Sequence, residues 1–286
     1  VHNPVDSAPP EQAPDSGRRP RVEVMRQQVV DDVLVSKHPA GTVAADLAAR
    51  LAAASTDPIR HLYAPPLSAT PVPAPDGRLI TLSPVTDPLP EDQPAPWHEA
   101  GALLARLHAV AVPDDLPEHG GRLQFEAAVA EADALHPGGS TDILRELGLH
   151  LLQSWPVPTR VAVVHGTFDL GRLGRLPGTE TWLLTGAHTL GLGDPAWDLA
   201  GPAALWGTGL LDDASWFAFV GGYAAAGGRT PTEGQPWPGL DHPARCALLM
   251  ATVAELRRCP GYPQPELSPA AEALLAACVK ANGRRW

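Results

Sequence analysis

The passage from Arg160 to Asp198 restricts this chain more than any other. Val161 to Val164 is a continuous apolar run, the pattern of a short buried strand, and it passes directly into His165-Gly166-Thr167-Phe168-Asp169-Leu170-Gly171-Arg172. A second apolar run, Trp182-Leu183-Leu184, leads to Gly193-Asp194-Pro195-Ala196-Trp197-Asp198-Leu199-Ala200. Glycines and polar groups follow each run, so the chemistry of the chain belongs on these loops, carried by strands that a surrounding core must bury.

The flanking sequence says what that core is made of. Residues 1–20 carry scattered prolines and charges and almost nothing large and apolar, which reads as a flexible tail. Residues 21–83 read as a small N-terminal β-lobe. Val22, Val24, Met25, Val29, Val30 and Val33 to Lys37 predict two or three antiparallel strands. Thr42 to Ala54, with Leu47 and Leu51 four apart and Thr42 placed to cap it, predicts a helix, and Arg78 to Ser83 after the Asp76-Gly77 turn predicts one more strand. Residues 84–96 are a proline-rich linker. Residues 97–286 read as a larger, mainly helical C-lobe. Leu103, Leu104, Leu107 and Val110 mark a core face on the first helix. Further helices are predicted at Gln124–Leu135, Asp142–Ser154, after Asp213, at Asp241–Arg258 and from Ser268. The cleft strands and loops of 160–198 sit within this lobe. Trp206, Trp216, Phe217 and Phe219 fall on predicted helices and read as core packing.

Composition excludes several classes of function. The 21 lysines and arginines face 32 aspartates and glutamates, a formal charge of −11, which argues against a broad nucleic-acid or anionic-membrane footprint. With 33 prolines and 27 glycines the chain is globular with long loops. Cys246, Cys259 and Cys278 are too few and too far apart for a disulfide framework or a zinc ribbon, which points to a reducing, cytoplasmic setting. No apolar run reaches the length of a membrane span. The Ala-, Pro- and Arg-rich usage fits a high-GC genome and a place in specialised biosynthesis.

The motifs of residues 97–200 resemble those of the aminoglycoside phosphotransferase and choline kinase family. In that pattern an apolar strand ends in His-Gly-Asp, an Asn follows, a second strand carries an Asp, and Gly-Asp-Pro with Asp-Leu-Ala comes after. Leu103-Leu104-Ala105-Arg106-Leu107-His108 is similar to the helix preceding this loop. The resemblance implies an α+β, two-lobed, protein-kinase-like fold. Phosphoryl transfer needs an aspartate to orient the acceptor hydroxyl, an Asn and an Asp to hold magnesium, and a lysine with a phosphate-cradling loop. Here the acceptor-orienting Asp falls on Thr167, the magnesium Asn on Arg172 and the second metal Asp, seven residues before Gly193, on Gly186. Lys37 is similar to the phosphate lysine and becomes the cofactor-binding candidate. The helix that should offer it a glutamate has only Asp46, and no glycine occurs between Arg18 and Ala40. These losses together imply a degenerate, pseudokinase-like member with no cofactor and no metal. ATP and magnesium enter only under an alternative reading.

Several residues keep two readings. Asp169 either replaces the missing base or caps its own loop, and His165 is either a proton acceptor or a structural residue. Asp194 and Asp198 are expected to hold the loops together. His188 is expected to be a solvent-exposed loop histidine rather than a metal ligand. Arg172 and Arg175 are candidates to grip an anionic or peptidic group. The expected function is a non-catalytic subunit binding a protein or peptide partner, with no nucleic acid and no membrane. The alternative is an ATP-dependent phosphotransferase acting on a small-molecule or peptide hydroxyl. The oligomeric state is left open.

Overall fold

The computed structural model describes residues 26–87, 89, 93–158, 160–229, 239–261 and 263–282. The expected tail at 1–20, the first apolar positions at 22–25 and part of the linker lie outside the described residues. Strands β1 (Arg26–Val30) and β2 (Val33–Lys37) form a hairpin that pairs Val30 with Val33. Asp31 and Asp32 make the two-residue turn, with φ of 47° and 61°, and such a left-handed pair matches the twist of the flanking strands. Helix α1 (Ala44–Ala54) follows, then β3 (Val72–Pro73) and β4 (Leu79–Pro84), giving an antiparallel sheet in the order β1-β2-β4-β3. Thr42 does not cap α1 as expected. Its hydroxyl donates to the carbonyl of Pro39 at 2.8 Å, and Val43 takes the N-cap position with no side-chain hydrogen bond.

Helix α2 (Trp97–His108) buries the leucines that its sequence marks. Helices α3 (Gly121–Ala134) and α4 (Ser140–Gln153) each begin a little earlier than their periodicity indicated. The cleft segment supplies two small antiparallel pairs. Strand β5 (Ala162–Val164) pairs with β8 (Gly191–Gly193), and β6 (Leu173–Arg175) pairs with β7 (Trp182–Leu184). Helices α5 (Ala196–Thr208), α6 (Asp213–Ala225), α7 (Asp241–Arg258) and α8 (Pro269–Asn282) complete the described fold. The architecture is α+β, with small antiparallel sheets and eight helices among the described residues.

Two apolar clusters hold it together. The first joins Leu47 and Leu51 of α1 to Leu104 and Leu107 of α2, Val163 and Leu184 of the cleft strands, and Phe219 and Tyr223 of α6. This core anchors the cleft strands to the helix that follows β2. The second packs Phe125, Leu144, Leu147, Leu249, Leu256 and Cys278 among α3, α4, α7 and α8. The aromatic group expected to be core divides: Trp216 and Phe219 are buried, whereas Trp206 is 39% and Phe217 63% exposed. Phe217 is one residue along α6 from Trp216, and one residue is about 100° around a helix. All three cysteines are free and buried, and burial raises the Cys278 thiol to about 11. No helix among the described residues is long and apolar enough to cross a membrane.

Candidate functional site

Asp198 organises the loop after β5. It is fully buried at the start of α5, where Oδ2 accepts the His165 amide and Oδ1 the Gly166 amide, both at 2.6 Å. The His108 Nε2 donates to Oδ2 at 2.9 Å from α2, and the other ring nitrogen of His108 meets the Tyr223 hydroxyl at 2.9 Å. Burial pushes the Asp198 carboxyl up, but these donors and the nearby imidazoles outweigh it and hold the group below its ordinary value. Asp194 ties the next loop, accepting the Ala196 amide at 3.0 Å and the Arg160 amide at 3.3 Å. Both aspartates secure loops, and neither lines either of the two cavities described below.

His165 is sealed beneath this loop. Its Nε2 donates to the Thr185 carbonyl at 2.7 Å, its ring stacks on Tyr63, and burial lowers its pKa. It is not among the residues that line the cavity beside this loop. Gly166 is built for its place: with φ of 91°, a β-carbon there would stand 2.8 Å from the Thr189 carbonyl oxygen.

A cavity of about 310 Å³ opens beside the loop, lined by Gly166, Thr167, Phe168, Asp169 and Arg172, by Trp197 and Leu205 of α5, by Leu248, Met250 and Arg257 of α7, and by Gln27 of β1. Asp169 is 62% exposed at this wall, with Arg172 Nε 3.7 Å from its carboxylate. The Thr167 hydroxyl lies 3.2 Å from that of Thr189. The Arg172 guanidinium packs against Gly186, whose φ is 75°.

Lys37 and Arg175 are not brought to this wall. Side chains alternate along a strand, and Ser36 and His38 are the buried neighbours of Lys37. Gln27, which lines the cavity, donates to Ser36 at 3.1 Å, so this face of the sheet looks toward the cleft. The Lys37 ammonium, on the other face, pairs with Asp76 in the turn before β4, and that hydrogen bond holds the Asp76 carboxyl at about 2. Arg175 lies on the β6–β7 hairpin, 3.0 Å from Glu180 and over the Trp182 ring at 4.8 Å. Arg172 and Arg175 therefore form no joint clamp.

The expectation for His188 is corrected: it is only 7% exposed. It follows a left-handed Gly186 into a short 3-10 turn that tucks it under α1, its ring 5.1 Å from His38. His38 meets the Thr81 hydroxyl at 2.9 Å, and burial, helped by the charge of Arg50, lowers its pKa to about 4. Arg50 of α1 is also buried and donates to the Glu118 carbonyl at 2.6 Å. His38 and Arg50 were missed in the sequence. Their signal was the alternation around Lys37 and the spacing of Arg50 one turn beyond Leu47.

The donor set does not fit the metal that the resemblance implies. Magnesium and calcium take oxygen ligands, chiefly carboxylates. Arg172 and Gly186 stand at the two metal-ligand positions that the resemblance implies, an arginine cation opposes a metal ion, and no group of three or more His, Cys, Asp or Glu that could hold a metal occurs among the described residues.

No protein-family model matches the sequence, and the curated proteins hold no match to it. Solved structures do match. A choline/ethanolamine kinase family protein from Mesorhizobium loti superposes with a TM-score of 0.51 at 17% identity, over 94% of this chain and 89% of that one. An aminoglycoside phosphotransferase from Streptomyces rimosus gives 0.53 at 18%, over 79% and 91%. An amicoumacin kinase solved with AMP-PNP and Ca²⁺ gives 0.56 at 12%, over 91% and 88%. At such identities the likeness is one of architecture, and the chain has the kinase-like fold of the choline/ethanolamine kinases and aminoglycoside phosphotransferases.

Proposed function

We propose that this phosphotransferase fold serves as a non-catalytic binding subunit whose cleft holds a peptide or protein segment with an acidic group. The observation that carries this reading is Arg172. Its guanidinium lies against Gly186, where the related pattern needs carboxylate and amide oxygens for a metal, and it borders a cavity whose other walls are mostly apolar. A planar guanidinium recognises a carboxylate in bidentate fashion, and the apolar wall of Phe168, Trp197, Leu248 and Met250 suits the side chains beside it. Function belongs to the site rather than the fold, and here the metal-handling positions have changed while the loop-holding ones, Asp194 and Asp198, remain.

Asp169 supports a second reading. It is exposed at the cavity wall, so a hydroxyl substrate could reach it, and the neighbours of this fold are kinases. On that reading the chain is an ATP-dependent phosphotransferase with a displaced base.

Thermal melting with and without magnesium and ATP, paired with capture of partners on the wild-type protein, Arg172→Ala and Arg175→Ala, tests the proposal. Binding of a partner to the native state stabilises it by an amount that grows with the logarithm of partner concentration over Kd. The expected result is no nucleotide-dependent shift, with a partner retained by Arg175→Ala and lost by Arg172→Ala. ATP turnover that disappears in Asp169→Asn would overturn the binding role in favour of the second reading.

A further inference from the structure

A second cavity, of about 370 Å³, lies apart from Arg172, between α1, the turn at 118–120 and α3. Two helix N-termini open onto it. Val43 caps α1 and Gly120 caps α3, and neither N-cap residue makes a side-chain hydrogen bond to the amides of its helix; at α3 the Gly121 amide donates to His119 Nδ1 at 3.1 Å, which leaves the amides that follow it. Helices of 11 and 14 residues thus turn their positive ends to one space, the arrangement that attracts an anion.

The side chains give an independent indication. Arg50 and His188 both line this cavity, are 8% and 7% exposed, and each carries a buried nitrogen, Nε and Nε2 respectively, with no hydrogen-bond partner. Buried polar groups are seldom left unpaired, and those that are call for a missing partner. His38 and His119 complete the inner wall. Burial keeps His38, His119 and His188 neutral near pH 7, so the inward charge of the site is that of Arg50. Three carboxylates also line the cavity: Asp46 in the first turn of α1 and the exposed Glu118, whose charges both act on Arg50, and Glu126, held by Arg122 at 3.0 Å. Gly41, Val43 and Arg122 at the rim are exposed, which leaves a way in.

We propose that this cavity binds a phosphate group, free or as the monoester of a small molecule. Arg50 supplies the charge, the α1 and α3 amides supply donors, and the volume leaves room for an organic substituent beyond the phosphate. This site adjoins the Arg172 cleft, with Gln124 lining both, but Arg172 does not line it, so either assignment can fail without the other.

Calorimetric titration of the full chain with inorganic phosphate, phosphoserine and acetate tests it. Saturable binding of phosphate or phosphoserine is expected, with the tighter of the two identifying the source of the group. Arg50→Gln should weaken it roughly tenfold or more, the scale of a charged hydrogen bond. Because Arg50 also holds the Glu118 carbonyl and its loss can unfold the chain, Val43→Glu is the companion variant. Val43 is 56% exposed, so its replacement leaves the melting temperature in place while setting a carboxylate at the rim, and phosphate affinity should fall. The proposal is overturned if phosphate and phosphoserine give no saturable heat, if acetate binds as tightly, if Val43→Glu binds as well as wild type, or if the loss follows Arg172→Ala instead.

Discussion

The guanidinium of Arg172 stands 3.3 Å, at Nη1, from the point where a β-carbon on Gly186 would lie. Gly186 brings no side chain to this space and the Arg172 guanidinium fills it, so a carboxylate introduced at position 186 alone leaves no room for a metal. Gly186→Asp on its own should form an ion pair with Arg172 instead of a cation site. Titration with Mn²⁺ followed by electron paramagnetic resonance should show no stoichiometric binding in the wild type or in Gly186→Asp. Binding should emerge only when Gly186→Asp is joined by Arg172→Asn and Thr167→Asp. Stoichiometric Mn²⁺ uptake by the wild type would refute this account of the pair.

Helices α2 and α6 meet backbone to backbone through a reciprocal pair of glycines. A β-carbon on Gly101 would fall 2.0 Å from the Phe219 carbonyl oxygen, and one on Gly222 would fall 1.9 Å from the His98 carbonyl oxygen. Neither obstacle is a side-chain end that can swing aside, so the helices themselves must separate. Gly222→Ala should therefore destabilise the fold by roughly 3 kcal/mol or more, the upper range for an overpacked core. Gly221→Ala, one residue away with nothing within 4 Å, should be neutral or slightly stabilising. Urea unfolding of the two variants side by side decides the matter, and equal midpoints would contradict it.

What could be read from the sequence follows physical lines. The α2 leucines are legible because a 3.6-residue period sorts one face from the other, and the His165-Gly166 and Asp198 positions because an apolar strand must end in a loop that something holds. The direction in which Lys37 points is not legible: alternation groups Ser36 with His38, but which side looks inward is decided by α1 and by Thr81 on the neighbouring strand. Arg172 and Arg175 read as a pair by spacing alone, yet Arg175 belongs to a hairpin whose own Glu180 and Trp182 hold it. The burial of His188 depends on a left-handed Gly186, a choice glycine permits and the sequence does not declare. Helix α5 is obscured because it is buried around most of its circumference and contains Pro202, which blurs its period.

Acid should weaken the fold well before carboxylates titrate. His38 and His119 are buried, and desolvation lowers each from 6.5 to about 4 in the native state. Above about pH 6.5 neither the folded nor the unfolded chain protonates them, and stability is complete. Between about pH 6.5 and 4 the unfolded chain takes up protons that the native state refuses, so stability falls as pH falls and levels off below about 4. The full span for each group is on the order of 3 kcal/mol. Melting temperatures across this range should decline, with a shallower slope in His38→Gln. An unchanged slope in that variant, with its melting temperature near neutrality intact, would show that His38 does not carry the effect.

Asp198 and Tyr223 sit at opposite ends of one hydrogen-bonded chain through His108, and their loss should differ in kind. The Asp198 carboxylate takes three buried donors, the amides of His165 and Gly166 and the His108 Nε2. An asparagine there offers a single oxygen and turns an NH₂ toward the remaining donors, leaving buried N–H groups without an acceptor. At about 1–3 kcal/mol for each unsatisfied group, Asp198→Asn should destabilise by roughly 3 kcal/mol or more. Tyr223→Phe removes only the hydroxyl that meets the His108 Nδ1 and should lower stability by about 1 kcal/mol. Hydrogen exchange separates a local effect from a global one. In Asp198→Asn the His165 and Gly166 amides should lose protection beyond the loss shared by the α7 core. In Tyr223→Phe they should fall only with the rest of the molecule. Equal protection of those two amides in both variants would mean that the loop is held by its packing on Thr189 and Phe219, and that the carboxylate is dispensable for its shape.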